Sequence, residues 1–222
     1  MRYEQTIRVI TVFFSTLIGF GLKKLLDAGT GDLAGVNGWL CFILAVLLFL
    51  RFLLGSANHL TLEYTSQEHP GASAGPLIRD LLFLIAFGIL ALWICYSASI
   101  GEFLSRSISL PAGGFVWSVL DPFLRRRELR PTLGKLAAPW YAINAFQLIA
   151  LIVALGFEST LTQAAGVTSC LVVLVLVFMG LLIWDISVQL KALEEARLPV
   201  GRTAAAADPK SGPRGPLPAG GR

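Results

Sequence analysis

Arg51 is the residue whose surroundings demand chemistry. It stands in the run LLFLRFLLG with apolar side chains on both sides. A charge at the centre of a membrane helix costs about 2.5–3.5 kcal/mol on insertion scales, so it needs a partner or a route to the interface. Gly55, His59 and Glu63 follow Arg51 at steps of four, with Asn58 beside them. That spacing puts Arg51, His59 and Glu63 on one face of a helix, and such a face should meet protein or water rather than lipid. Imidazole titrates near neutral pH, so His59 next to Glu63 has the chemistry of a proton carrier. A satisfied polar seam at a membrane boundary is the alternative. The partner expected for Arg51 is Asp80. Arg51 lies three residues before Leu54, where one apolar run ends, and Asp80 lies three residues after Leu77, where the next begins. Antiparallel neighbours with those offsets would bring the two charges to one depth. An interfacial anchor is the competing role for Arg51.

Other polar residues are quieter. Thr11, Ser15, Gly19 and Lys23 recur at steps of four. Small residues at that spacing let helices approach closely, so Ser15 and Gly19 are expected at a helix–helix contact. Asn144 and Gln147 share a face and are expected to hydrogen-bond between helices, lining a polar pathway being the alternative. Glu102 and Asp185 read as markers of span ends. The three cysteines, Cys41, Cys95 and Cys170, each lie inside an apolar run and form no CxxC or Cys/His group, so neither a disulfide framework nor a metal site is expected. HExxH and Walker patterns are absent. The glycines from Gly29 to Gly35 lack the Lys-Ser/Thr ending of a phosphate loop. Catalysis and cofactors are therefore not expected.

The elements that must position these residues are membrane spans. Of the 222 residues, 55% are hydrophobic and 14% charged. A soluble domain usually carries about 25% charged residues. A span needs about 20 mostly apolar residues, and continuous rather than alternating apolar runs mean helices. Five such runs are read: about Ile7–Leu26, Trp39–Leu54 with a helical pattern continuing to Tyr64, Leu77–Ile100, Trp140–Phe157 and Val167–Trp184 with its helix running on to Ala196. At the first of them, Arg2 and Arg8 flank a run from Val9 to Leu22, Lys23 and Lys24 follow that run directly, and no small-residue cleavage site ends it, so an uncleaved span is expected. Residues 69–76, HPGASAGP, form a loop by composition.

The segment Ile108–Leu124 is apolar but holds Pro111, Gly113, Gly114 and Asp121. An interfacial amphipathic helix is the favoured reading, and a short or re-entrant sixth membrane segment the other. Arg125, Arg126, Arg127, Arg130 and Lys135 then make the most basic connection, which should be cytoplasmic. Five crossings would place the N-terminus outside, and six would place it inside.

The expected fold is thus an all-α, polytopic helical membrane bundle over residues 1–197. Residues 198–222, rich in Ala, Gly and Pro, are expected to form a disordered cytoplasmic tail. The expected partners are the lipid bilayer of the cell membrane and either further copies of the chain or another membrane protein. The net charge of +4 does not imply nucleic acid, because in a membrane protein the placement of Lys and Arg serves topology. The function expected is a small channel or transporter subunit, the alternative being a non-catalytic anchor or regulatory subunit of a partner complex.

Overall fold

A computed structural model of the chain describes residues 2–27, 33–64, 74–124, 130–160 and 164–197. The expected tail, residues 198–222, lies outside the described residues. The protein is an all-helical membrane bundle. Its helices are α1 (Arg2–Asp27), α2 (Gly35–Tyr64), α3 (Ala74–Cys95), α4 (Ile100–Ser107), α5 (Ser109–Leu124), α6 (Arg130–Thr160) and α7 (Ala164–Arg197). Four stretches are long and apolar enough to cross a membrane: Gly35–Ala57, Leu77–Cys95, Pro139–Thr160 and Ala165–Lys191. The outward surface suits lipid, with Ile89, Val116, Ile149, Val173 and Leu176 all exposed.

The chain turns tightly from α3 into α4 because the sequence Ser99-Ile100-Gly101-Glu102 caps the new helix. Ser99 accepts from the backbone N–H of Glu102 at 3.2 Å, and the Glu102 carboxylate accepts from the N–H of Ala98 at 2.6 Å. Reciprocal bonds of this kind satisfy donors that a helix start leaves bare. Glu102 is therefore the first turn of a new helix, paired with Arg106, rather than the mark of a span's end.

Helices α4 and α5 continue one another. Ile108 keeps right-handed helical angles, its N–H bonds to the Leu104 carbonyl at 3.3 Å, and its carbonyl accepts from Ala112 at 3.1 Å. The ladder is interrupted by Pro111, which has no N–H to offer the Ser107 carbonyl. The combined rod runs antiparallel to α6: Gly101 packs on Glu158, Gly114 on Asn144, and the Tyr141 hydroxyl donates to the Ser118 carbonyl. It also runs antiparallel to α3, through Arg106 with Trp93, Gly113 with Phe87, and Phe83 with Trp117. From Gly101 to Ser118 the rod extends about 26 Å at ~1.5 Å per residue. One face, Phe103, Leu104, Ser107, Leu110, Gly114 and Ser118, is buried in the bundle. The segment expected to lie flat in the interface stands among the spans instead. A buried face that continues through both helices, across the proline, is the physical reason.

The seven helices thus make six rods. Helix α1 lies parallel to α3, through Phe14 with Gly88 and Gly21 with Cys95. Helix α2 lies parallel to α7, through an Asn37–Thr168 hydrogen bond at 2.7 Å and an Arg51–Asp185 bond further along. Neighbouring rods close a ring in the order α1, α2, α7, α6, α4–α5, α3, and back to α1. Helix α2 leans inward and also touches α3 and α4.

Close packing on α1 uses Phe14, Ile18, Gly21 and Leu25, where Gly21 lets Cys95 Sγ come within 3.1 Å of a Cβ position. Ser15 and Gly19, expected at a helix contact, face outward: Ser15 is exposed and bonds only its own helix at the Thr11 carbonyl, and nothing lies within 4 Å of a Cβ on Gly19. The bulky residues won because their stripe supplies apolar area to the core, whereas the small-residue stripe supplies little.

Six rods place the start of α1 at the end of the bundle where α5 gives way to α6, the connection that carries Arg125, Arg126 and Arg127. That end also holds Arg79 and Lys191, whereas the opposite end holds Asp27, Glu102 and Glu158 beside Lys23 and Lys24. The positive-inside rule predicts a cytoplasmic position for the more basic end. Cysteine-accessibility labelling in a cysteine-free background should therefore find positions 4 and 127 cytoplasmic and position 158 external. An external position 4 with the other two as stated would refute six crossings.

Candidate functional site

The two halves of the bundle differ. Toward the α3–α4 turn the interior is mostly apolar, with Cys41, Leu44, Ile94, Phe103, Leu151 and Leu171 essentially without exposure and the hydroxyls of Ser97 and Ser107 buried among them. Toward the opposite end, the ring encloses Arg51.

Arg51 is 5% exposed and bridges three helices. Its Nε donates to Asp185 Oδ2 on α7 at 3.1 Å, an ion pair. Its Nη1 donates to Asn144 Oδ1 at 2.7 Å and to Gln147 Oε1 at 2.5 Å, both on α6. The spacing of Asn144 and Gln147, one helical turn apart, lets both carbonyl oxygens meet a single nitrogen. Gln189, one turn beyond Asp185, donates to Asp185 Oδ1 at 3.0 Å. Asn144 is held in turn by Ser118 on α5, whose hydroxyl lies 3.4 Å from Asn144 Nδ2 and bonds back to the Gly114 carbonyl at 2.7 Å. The network therefore fastens α2, α5, α6 and α7. Asn144, Gln147, Asp185 and Gln189 are all buried. A desolvated ion pair is tolerable only when its remaining lone pairs and protons are bonded, and the amides do that here.

Arg51 thus pairs with Asp185 and not, as expected, with Asp80; among the described residues no ion pair joins Arg51 to Asp80. The chain order misled. Helices α2 and α3 are consecutive, but α1 packs against both, while α2 lies along α7. Parallel helices with Asn37 beside Thr168 bring Arg51 level with Asp185 one half of the bundle further on. Asp185, expected as a boundary marker, is 2% exposed and supplies the counter-charge. Its setting after Trp184 in a long helical pattern was the only hint in the sequence. Asp80 is buried and paired with its neighbour Arg79 at 3.1 Å, and the Arg79 guanidinium lies over the Trp117 ring at 5.3 Å. The side chains of Asn58, His59 and Glu63, the rest of the expected seam, lie outside the described residues.

A partly enclosed cavity of about 80 Å³ adjoins this network. Arg51, Asp80 and Asp185 form part of its wall, together with Ser56, Asn144 and Ser118. The remaining wall is aromatic and aliphatic, with Phe52, Phe83, Phe87 and Trp117 prominent. Phe52 and Phe87 stack at 5.3 Å between centroids, and Phe83 and Trp117 at 4.0 Å, so the aromatic side is a continuous packed surface. Helices α2 and α6 are not packed backbone to backbone at this level; the Arg51 side chain spans the gap between them. Apolar walls with a few convergent polar groups are the usual composition of a small-molecule site. Trp140, expected in an interfacial belt, contributes to the wall of the cavity.

Comparison with protein-family models, with curated proteins and with solved structures finds no match to this chain.

Proposed function

We propose that the protein is a non-catalytic, multi-pass component of the cell membrane that carries a small solute, acting as a transporter or channel subunit. The observation that supports this reading is the cavity beside Arg51, Asp80 and Asp185. Ionisable groups inside a membrane bundle are costly, and where they border a cavity they commonly belong to a solute path. The site lies in the half of the bundle proposed to face the cytoplasm, and the opposite half is closed by apolar packing. A solute would enter from the cytoplasmic end, and passage would require the outer half to part. A subunit with one polar cavity suits assembly as an oligomer.

A second reading keeps support from one observation. Arg51 and Asp185 are bonded to protein on every contact described above, as a purely structural fastening would be. On that reading the protein anchors or regulates a partner.

Flux separates the two. Purified protein in liposomes should pass at least one solute from a panel of alkali cations, chloride, phosphate, small organic acids and small organic cations. Ser56→Leu, which fills the cavity from α2, should reduce that flux at least tenfold with folding intact. Absence of flux across the panel would reject the transport reading and leave the anchor.

A further inference from the structure

Two polar features of the cavity are not used by the fold. Arg51 spends Nε and Nη1 on Asp185, Asn144 and Gln147, while Nη2 donates to no acceptor among the described residues. The guanidinium is buried and borders the cavity, so an occupant of the cavity can meet the two N–H groups of this edge. The Ser56 hydroxyl, on the same wall, likewise has no hydrogen bond among the described residues. A buried donor left unmet costs about as much as a lost hydrogen bond, so such donors are expected to find acceptors.

Charge narrows the occupant. Arg51 is balanced by Asp185, and Asp80 by Arg79. Among the described residues of the wall these two pairs leave no surplus charge, so a doubly charged anion or a bare cation would enter uncompensated, and a monoanion must share the Arg51 guanidinium with Asp185. The Arg51 Nη2 edge can only donate and the Ser56 hydroxyl can donate, which suits an acceptor headgroup. The facing wall of Phe52, Phe83, Phe87 and Trp117 calls for an apolar body. A carboxylate is the compact headgroup that guanidinium N–H groups bind with charge-assisted bonds. A cavity of about 80 Å³ restricts the body to a few carbon atoms or one small ring.

We propose that the cavity binds a small monocarboxylate, with its carboxylate on Arg51 Nη2 and Ser56 Oγ and its apolar part against the Phe52–Phe87 and Phe83–Trp117 pairs. This rests on the reading of the cavity as a solute site.

The test is calorimetric titration of the full chain in detergent micelles with butyrate and benzoate, and in parallel with succinate, inorganic phosphate, tetramethylammonium and butyramide. Butyrate or benzoate should bind saturably and at least tenfold tighter than the other probes. Arg51→Lys keeps the charge but loses the Nη2 edge, and should weaken binding at least tenfold, the size expected for a charge-assisted hydrogen bond. If Arg51→Lys does not fold, Ser56→Leu decides, because it blocks the cavity without touching the Asp185 pair. It should abolish binding with an unchanged melting temperature. Gly19→Ala, where nothing lies within 4 Å of the added Cβ, should bind as the parent does. Butyramide binding as well as butyrate, phosphate or succinate binding more tightly, or benzoate binding undiminished in Ser56→Leu would overturn the proposal. Flux of radiolabelled pyruvate, phosphate and tetramethylammonium in liposomes distinguishes the two levels. Transport of phosphate or tetramethylammonium that is sensitive to Ser56→Leu, without carboxylate binding, defeats the monocarboxylate site and keeps the transport reading. Benzoate binding sensitive to Ser56→Leu, without flux of any probe, keeps the site and defeats transport.

Discussion

Arg51→Ala is expected to destabilise the bundle by about 3–5 kcal/mol, the cost of leaving one member of a buried ion pair uncompensated. The value should fall toward the lower figure, because the cavity beside the guanidinium gives water a place to approach Asp185. Asp185→Ala should act in the same direction. Their effects should not add, since each removes the same pair. The double variant Arg51→Met/Asp185→Leu should recover much of the loss, because apolar side chains of similar volume need no partner. Arg51→Ala combined with Asp80→Ala should instead be close to additive, as Asp80 is held by Arg79. The measurement is unfolding in detergent by denaturant or heat across the two cycles. Additivity between positions 51 and 185, or strong coupling between 51 and 80, would show that the fastening has been assigned to the wrong carboxylate.

Gly114→Ala should be the most damaging small substitution on the fourth rod. A Cβ there would meet Phe52 Cε1 at 2.9 Å and Asn144 Oδ1 at 3.0 Å. Real Cβ atoms do not sit so close, so α5 would have to move away from α2 and α6. Overpacking of this kind costs about 1–3 kcal/mol. The site would feel it too, because Asn144 Oδ1 is the atom that accepts from Arg51. Carboxylate binding and thermal stability should therefore fall together in Gly114→Ala. Gly156→Ala, on the outward face of α6 with nothing within 4 Å, is the matched control. Alanine is the better helix former by about 1 kcal/mol, so that variant should hold or gain stability. Equal melting temperatures for the two variants would contradict the close contact of α5 with α6.

Much of the fold is legible without coordinates. Continuous apolar runs longer than a bilayer is thick admit only helices, and four of the five runs read in the sequence correspond to stretches with the length and hydropathy of spans. The first run is helical as well, over Arg2–Asp27. Of the two readings of Ile108–Leu124, packing among the spans favours the membrane segment over the interfacial helix, although Pro111 and the paired glycines read as breakers. In place, Gly113 and Gly114 are the points where Phe87, Phe52 and Asn144 come nearest, so the residues that weaken the helix locally are those that let it pack. The Ser99–Glu102 cap was available in the sequence and would have marked the start of that rod.

The site divides in the same way. Sequence alone determined that Arg51 needed a partner and that Asn144 and Gln147 shared a face, because these follow from burial cost and helical spacing. Only the tertiary structure decided that the partner is Asp185, and that Ser56, Phe83 and Trp117 face the same cavity. Helix order around the ring is set by how buried faces fit across the whole bundle. That arrangement packs α1 against both of the consecutive helices α2 and α3 and sets α2 along α7, so a residue far away in the chain lies at the matching depth.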